Sequence, residues 1–162
     1  MKFNYLQNFI GVSLTEEELN DISYPYTELC THVTLKTVQI GGTLGTFLFG
    51  PILAAVRKPK LGLMNAMFKS GKVGVVLGLI SGPPMTFMRI KDVETLDPIT
   101  DRCYRIRKNM NQLRVDRSYF LGGGVGAFTS VAIASSPVFG FLAGSSMGLI
   151  SAGLYNHQLA SK

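Results

Sequence analysis

A chain of 162 residues is long enough for one domain, yet only 16% of it is charged, against about 25% in soluble proteins. The formal net charge is +6, but residues 118–161 carry no charged side chain at all. That excludes an ordinary soluble fold and makes the chain an all-α membrane protein, since a lipid-exposed backbone must satisfy its own hydrogen bonds.

The N-terminal stretch is acidic, with Glu16, Glu17, Glu18, Asp21 and Glu28. It has neither the Arg-rich amphipathic character of a transit peptide nor the apolar core of a signal, so any import signal would be internal. Thr15 and Glu18 have the spacing of a capping box and predict a short helix to about Ile22. The first apolar stretch, "VTLKTVQIGGTLGTFLFGPILAAV", predicts a transmembrane helix over 33–56. A loop from Arg57 to Lys72 follows. It holds five basic residues (Arg57, Lys58, Lys60, Lys69, Lys72) and no acid, the composition that contacts anionic lipid headgroups. Within it, "LGLMNAMFK" (61–69) reads as a short amphipathic helix.

A second span is expected over 72–88, with Pro83 and Pro84 kinking or ending it. Next comes "DPITDRCYRIRKNMNQL" (97–113), in which Asp97 caps, Pro98 starts, and Ile99, Cys103, Ile106, Met110 and Leu113 share one face. This is an amphipathic helix for the membrane interface or a partner. The third and fourth spans are expected over 119–134 and 138–155, joined by the tight turn "SSP". The predicted architecture is therefore four transmembrane helices in a single domain, residues 1–162.

Glycine patterning says how such helices would meet. Lipid supplies no hydrophobic drive between helices, so close backbone packing through small residues four apart must serve. Gly41 and Gly45 follow that spacing in the first span, and Gly74, Gly78 and Gly82 in the second. Gly122 and Gly126 follow it in the third, and Gly140, Gly144 and Gly148 in the fourth. From Gly122 the chain also spells G-x-G-x-x-A, the skeleton of a dinucleotide turn. The required strand is missing upstream, and no Asp or Glu follows Asp116 to hold a ribose. The glycines are thus expected to admit a neighbouring helix and not a phosphate.

Polar residues inside the spans carry two readings. Lys36 and Gln39, with Thr34, Thr37 and Thr43 nearby, could line a solute path. Alternatively, Lys36 snorkels and the hydroxyls bond between helices. The basic loop, by the positive-inside rule, belongs in the matrix or cytoplasm, with both termini and the 89–117 segment on the opposite side. Eight basic residues against five acids in 89–117 pull the other way. Cys30 and Cys103 fall on one side and could form a disulfide if that side is oxidising. His32 and His157 lie at opposite ends and, with two cysteines, offer no metal spacing. No nucleophile, base and orienter stand together, so the expectation is a protein that is not an enzyme, without cofactor or metal, and with no nucleic-acid partner.

The junction "DRSYFLGG" and the four glycine-striped spans resemble the preprotein and amino-acid transporter superfamily, which includes the channel subunits of mitochondrial inner-membrane translocases. The superfamily pattern places an Arg four residues before an Asp, a glycine pair about seven after it, and a further glycine four beyond. Asp116, Gly123 and Gly124 match, whereas position 112 is Gln and the late glycine is Gly126, with Phe128 where the pattern would put it. The segments "YFLGGGVGAFT", "GFLAGSSMGLISAGLY" and "LCTHVTLKT" are closer to one branch, the four-helix accessory subunit of the respiratory complex I membrane arm. That resemblance implies a non-catalytic role in the mitochondrial inner membrane: packing against core and accessory membrane-arm subunits, binding phospholipids including cardiolipin, and supporting assembly. The lost Arg favours this over a translocase or solute-channel subunit.

Overall fold

The computed structural model describes residues 4–57 and 62–161, and among them every regular element is a helix. Two short helices, α1 (Asn4–Ile10) and α2 (Glu16–Asn20), precede the bundle. The Thr15 hydroxyl accepts from Glu18 N–H while the Glu18 carboxylate accepts from Thr15 N–H at 3.0 Å, a complete capping box. The first long helix is continuous from Pro25 to Val56. It comprises α3 (Pro25–Leu44), one π-helical turn (Gly45–Phe49) and α4 (Gly50–Val56). Pro51 cannot donate to the preceding turn, and the wider turn just before it absorbs that loss. Then come α5 (Leu63–Ile90), α6 (Asp97–Lys108), α7 (Met110–Ala132) and α8 (Pro137–Ala160).

Several boundaries differ from those the sequence suggests. The 61–69 segment is no separate helix: from Leu63 onward it is the first part of α5, so α5 runs unbroken for 28 residues. Pro83 and Pro84 neither end nor break it. They sit on its exposed side, and the hydroxyls of Ser81 and Thr86 donate to the carbonyls of Gly78 and Gly82 around them. The 97–113 helix is really two. Asn109 leaves helical geometry (φ −79°, ψ 90°), and its side chain accepts from Gln112 N–H at 3.1 Å, capping α7. Met110 and Leu113 therefore belong to α7 and not to the face shared by Ile99, Cys103 and Ile106. The turn between α7 and α8 follows "SSP": Ala134 takes the left-handed conformation (φ 53°), and Ser136 caps α8 ahead of Pro137.

Three segments, Pro25–Val56, Leu63–Ile90 and Pro137–Ala160, are long and apolar enough to cross a membrane. At about 1.5 Å per residue each exceeds a hydrocarbon core of about 30 Å. Helix α7 is less apolar overall because Arg114, Asp116 and Arg117 lie in its first turns.

The long helices pair as two antiparallel hairpins, α3–α4 with α5 and α7 with α8. In both, glycines lie against the partner backbone. A Cβ on Gly41 or Gly74 would strike the carbonyl of the other. Gly45 faces the Ser70 carbonyl, Gly78 faces Thr37, and Gly82 faces Thr34, with 2.5 to 2.7 Å left for a Cβ against the backbone of Thr34 and Thr37. Across the second hairpin, Gly122 meets Gly144, Gly126 meets Gly140, and Gly148 meets Ser118. Gly50, against the Met67 Cα, and Gly71, against Thr46 and Leu142, belong to the same pattern though no four-residue stripe pointed to them. Not every glycine packs: Gly124 and Gly153 face open space.

The hairpins alternate in direction, so α1, α2 and α6 gather at one end with the start of α3, the end of α5, the start of α7 and the end of α8. We call this end the head. Its apolar centre is Leu29, Ile99 and Cys103, flanked by Ile22, Val33, Ile90, Val93 and Ile106. Arg57 and the α7–α8 turn lie at the opposite end.

Candidate functional site

Charged side chains buried in the bundle cluster at the head. The deepest is Asp116, on α7, with 2% of its surface exposed. It meets two residues of α3: Lys36 forms an ion pair with it, and Gln39 Nε2 donates to it at 2.7 Å. Lys36 Nζ also donates to Gln39 Oε1 at 2.9 Å, so the three side chains close a ring of hydrogen bonds. Positions 36 and 39 are three apart, hence neighbours on one helix face, and that face turns toward α7. Gln39 is 1% exposed, while the Lys36 side chain keeps 22% of its surface open. The ring links the two hairpins, because α3 belongs to one and α7 to the other.

A second buried pair lies between α3 and α6. Arg107 on α6 reaches Glu28 on α3 through two parallel hydrogen bonds of 2.7 Å, a fork on a carboxylate. Its remaining nitrogen donates to the carbonyls of Glu18, Leu19 and Asp21, which closes the end of α2. Asn8 Nδ2 returns a bond to the Arg107 carbonyl at 2.8 Å, and Asn4 Nδ2 donates to Glu18 O at 3.0 Å. Arg117 holds α1 by donating to the carbonyls of Asn8 and Phe9. Two arginines thus fasten α1 and α2 to the bundle. A cavity of about 270 Å³ remains beside this pair, with Tyr5 in its wall, and burial holds the Tyr5 phenol well above its usual range.

The polar set that could line one solute path is divided. Lys36 and Gln39 face α7, whereas Thr34 and Thr37 face α5, where Thr37 Oγ1 donates to Gly78 O at 2.7 Å. Thr43 is partly buried, and its hydroxyl takes no partner among the described residues.

The possible bridge between Cys30 and Cys103 is not formed here, and both are free thiols. Cys103 Sγ donates to the carbonyl of Pro25 at 3.3 Å and packs against Leu29. Cys30 is the next residue after Leu29, about 100° further round the helix, so it faces elsewhere. Burial pushes the Cys103 thiol up to about 12.

Of the basic residues assigned to lipid headgroups, Arg57, Lys69 and Lys72 are exposed, Lys72 stands over the Phe68 ring at 4.2 Å, and Lys58 and Lys60 lie outside the described residues. Lys69 also borders a groove of about 670 Å³ along the outer side of the first hairpin, lined by Ile40, Leu44, Phe49, Leu53, Val73 and Leu77. Among the described residues no three of His, Cys, Asp or Glu stand close enough to hold a metal ion.

Sequence reasoning named Lys36 and Gln39 but not their partner. The signal was present: an ionisable residue inside a span needs a counter-charge, and Asp116 is the acid standing at the edge of another span. The Glu28–Arg107 pair left no comparable mark, since Glu28 lies in the acidic N-terminal stretch and Arg107 on the polar side of a helix read as amphipathic.

No curated protein matches the chain. A family model does match, over residues 5–155, taking in every helix of the head and both hairpins. On that match the chain belongs to the family described as protein of unknown function, DUF1757.

Proposed function

We propose that the chain is a four-span, non-catalytic subunit of a larger membrane assembly, and that the assembly is the membrane arm of respiratory complex I in the mitochondrial inner membrane. The observation that carries the first part is where the polar and apolar groups lie. Lys36, Gln39, Asp116, Glu28 and Arg107 are all spent on one another inside the chain. The outer faces, by contrast, are apolar: α5 alone exposes Val76, Leu79, Ile80, Phe87 and Met88, and the 670 Å³ groove runs beside them. A surface of this kind suits partner helices and acyl chains. Helix α7 serves as the fourth span in this reading. Its charges are neutralised at the head, leaving residues 119–132 to enter the bilayer against α8 through glycine.

The choice of assembly rests on the sequence resemblance to the complex I accessory subunit. In it, cardiolipin and other phospholipids fill the outer grooves, and core and accessory membrane-arm subunits cover the rest. The test is native electrophoresis of digitonin-solubilised mitochondria carrying the tagged chain, with an in-gel stain for NADH dehydrogenase. Co-migration with the stained band supports the reading. Migration in a smaller, unstained complex would contradict it and move the assignment to an inner-membrane translocase or solute-channel subunit.

A further inference from the structure

At the head, beside the buried ring, a cavity of about 420 Å³ opens between four helices. Three arginines line it, Arg89 from the last turn of α5 and Arg102 and Arg105 from α6, together with His32, Asn109 and Gln112. No carboxylate is in the lining. Arg105 is paired with Asp101 at 2.9 Å on the exposed rim, while neither Arg89 nor Arg102 enters an ion pair among the described residues.

Such a grouping is unfavourable unless something anionic completes it. Arg105 is balanced by Asp101, but Arg89 and Arg102 share one hollow with no carboxylate partner among the described residues, whereas Arg107 and Arg117 are each consumed by carboxylate or carbonyl oxygens. Arginine is also the residue whose planar fork matches two oxygens of a phosphate at once. Depth adds a second constraint. Arg89 lies one residue before the end of the membrane-length helix Leu63–Ile90, so with that helix spanning the bilayer the cavity would open at the level of the lipid phosphates. The amide side chains of Asn109 and Gln112 supply neutral donors on the remaining side.

We propose that this pocket binds a phosphate group, carried either by an anionic phospholipid at the head-side membrane boundary or by a small soluble phosphate. The site is separate from the Arg57–Lys72 cluster at the opposite end and does not depend on which assembly the chain joins.

The experiment uses the purified full chain in a neutral detergent, titrated calorimetrically with dihexanoyl phosphatidylglycerol, dihexanoyl phosphatidylcholine, glycerol 3-phosphate and inorganic phosphate. At least one anionic probe is expected to bind the wild type, more weakly as salt rises. R89Q/R102Q is expected to weaken it about tenfold or more, since each lost charge-assisted bond is worth about that factor. K91Q, which removes an exposed charge close by without touching the lining, is expected to leave it unchanged. Phosphatidylglycerol binding more tightly than glycerol 3-phosphate identifies a lipid as the source, and equal binding identifies a soluble phosphate. The proposal is overturned if no anionic probe binds the wild type, if R89Q/R102Q binds like it, or if phosphatidylcholine binds as well as phosphatidylglycerol. Should the double variant fail to fold, the single R89Q decides. Arg89 is exposed and outside any ion pair among the described residues, so a several-fold loss is expected and an unchanged affinity overturns the proposal.

Discussion

The glycine-packed hairpins and the head are held together by opposite means. In the hairpins, backbone approaches backbone, the contacts are dispersion and close carbonyls, and few polar groups take part. In the head, the short helices are fixed by Arg107, Glu28 and Arg117, and the Lys36–Gln39–Asp116 ring ties α3 to α7. The difference follows from what each region can bury. A helix in lipid gains nothing by hiding leucines, so it gains by removing side chains at the contact. Helices of five to seven residues cannot hold themselves, and α1 and α2 depend on long-range hydrogen bonds. The ring stands between these regimes, ionic in chemistry but placed where the two hairpins meet.

This contrast predicts a ranking of damage. Arg107→Ala strands the Glu28 carboxylate and releases three carbonyls at the end of α2. Breaking one side of a buried pair costs about 3–5 kcal/mol. Denaturant titration in detergent, followed by helical circular dichroism, should show the lowest midpoint of any single variant. A midpoint near wild type would mean that the head is not held this way. Next comes Gly74→Ala, whose methyl would meet the Gly41 carbonyl and force the hairpin apart, costing roughly 1–3 kcal/mol as other overpacked sites do. Gly124→Ala is its control. That position faces open space, and the alanine should be neutral or stabilising by up to about 1 kcal/mol through helix propensity. Equal effects at the two positions would dissolve the distinction between packing and non-packing glycines.

Much of this was legible in the residues. The apolar stretches, the bare segment 118–161 and the four-residue glycine spacing all report the period and the solvent directly. Helix ends were less so. Pro83 and Pro84 read as a kink or a stop, but their outward placement and the flanking hydroxyls let α5 continue. Asn109 read as part of a helix because its neighbours kept the apolar period, while the cap that splits that helix depends on one side chain turning back to Gln112. The head was the least visible. Glu28 and Arg107 are 79 positions apart, and local pattern carries no information about a pair that only the fold brings together.

Smaller effects sharpen the comparison further. Burial pushes the Cys103 thiol up to about 12, so at pH 7.5 a maleimide should label half-buried Cys30 and spare Cys103 until the head unfolds. Prompt labelling of both would show the α6 contact to be loose. The smallest effect belongs to the exposed pair at the rim. A hydrogen bond from Lys108 holds the Glu16 carboxyl below its ordinary 4.5. A lowered folded-state value means that any stabilisation is present at neutral pH and fades as pH falls below that range. Both side chains are solvated, so Glu16→Gln should leave the midpoint at pH 7 unchanged within error. A clear loss there would extend the ionic network of the head to its surface.

The central claim is that Lys36 and Asp116 join the two hairpins, and a double-mutant cycle tests it most directly. Midpoints would be measured for wild type, Lys36→Met, Asp116→Leu and the double variant in one detergent. Residues in direct contact couple by about 0.5–3 kcal/mol, so the double variant is predicted to be markedly less destabilised than the sum of the singles. Strict additivity would contradict the account, leaving the hairpins joined by packing alone.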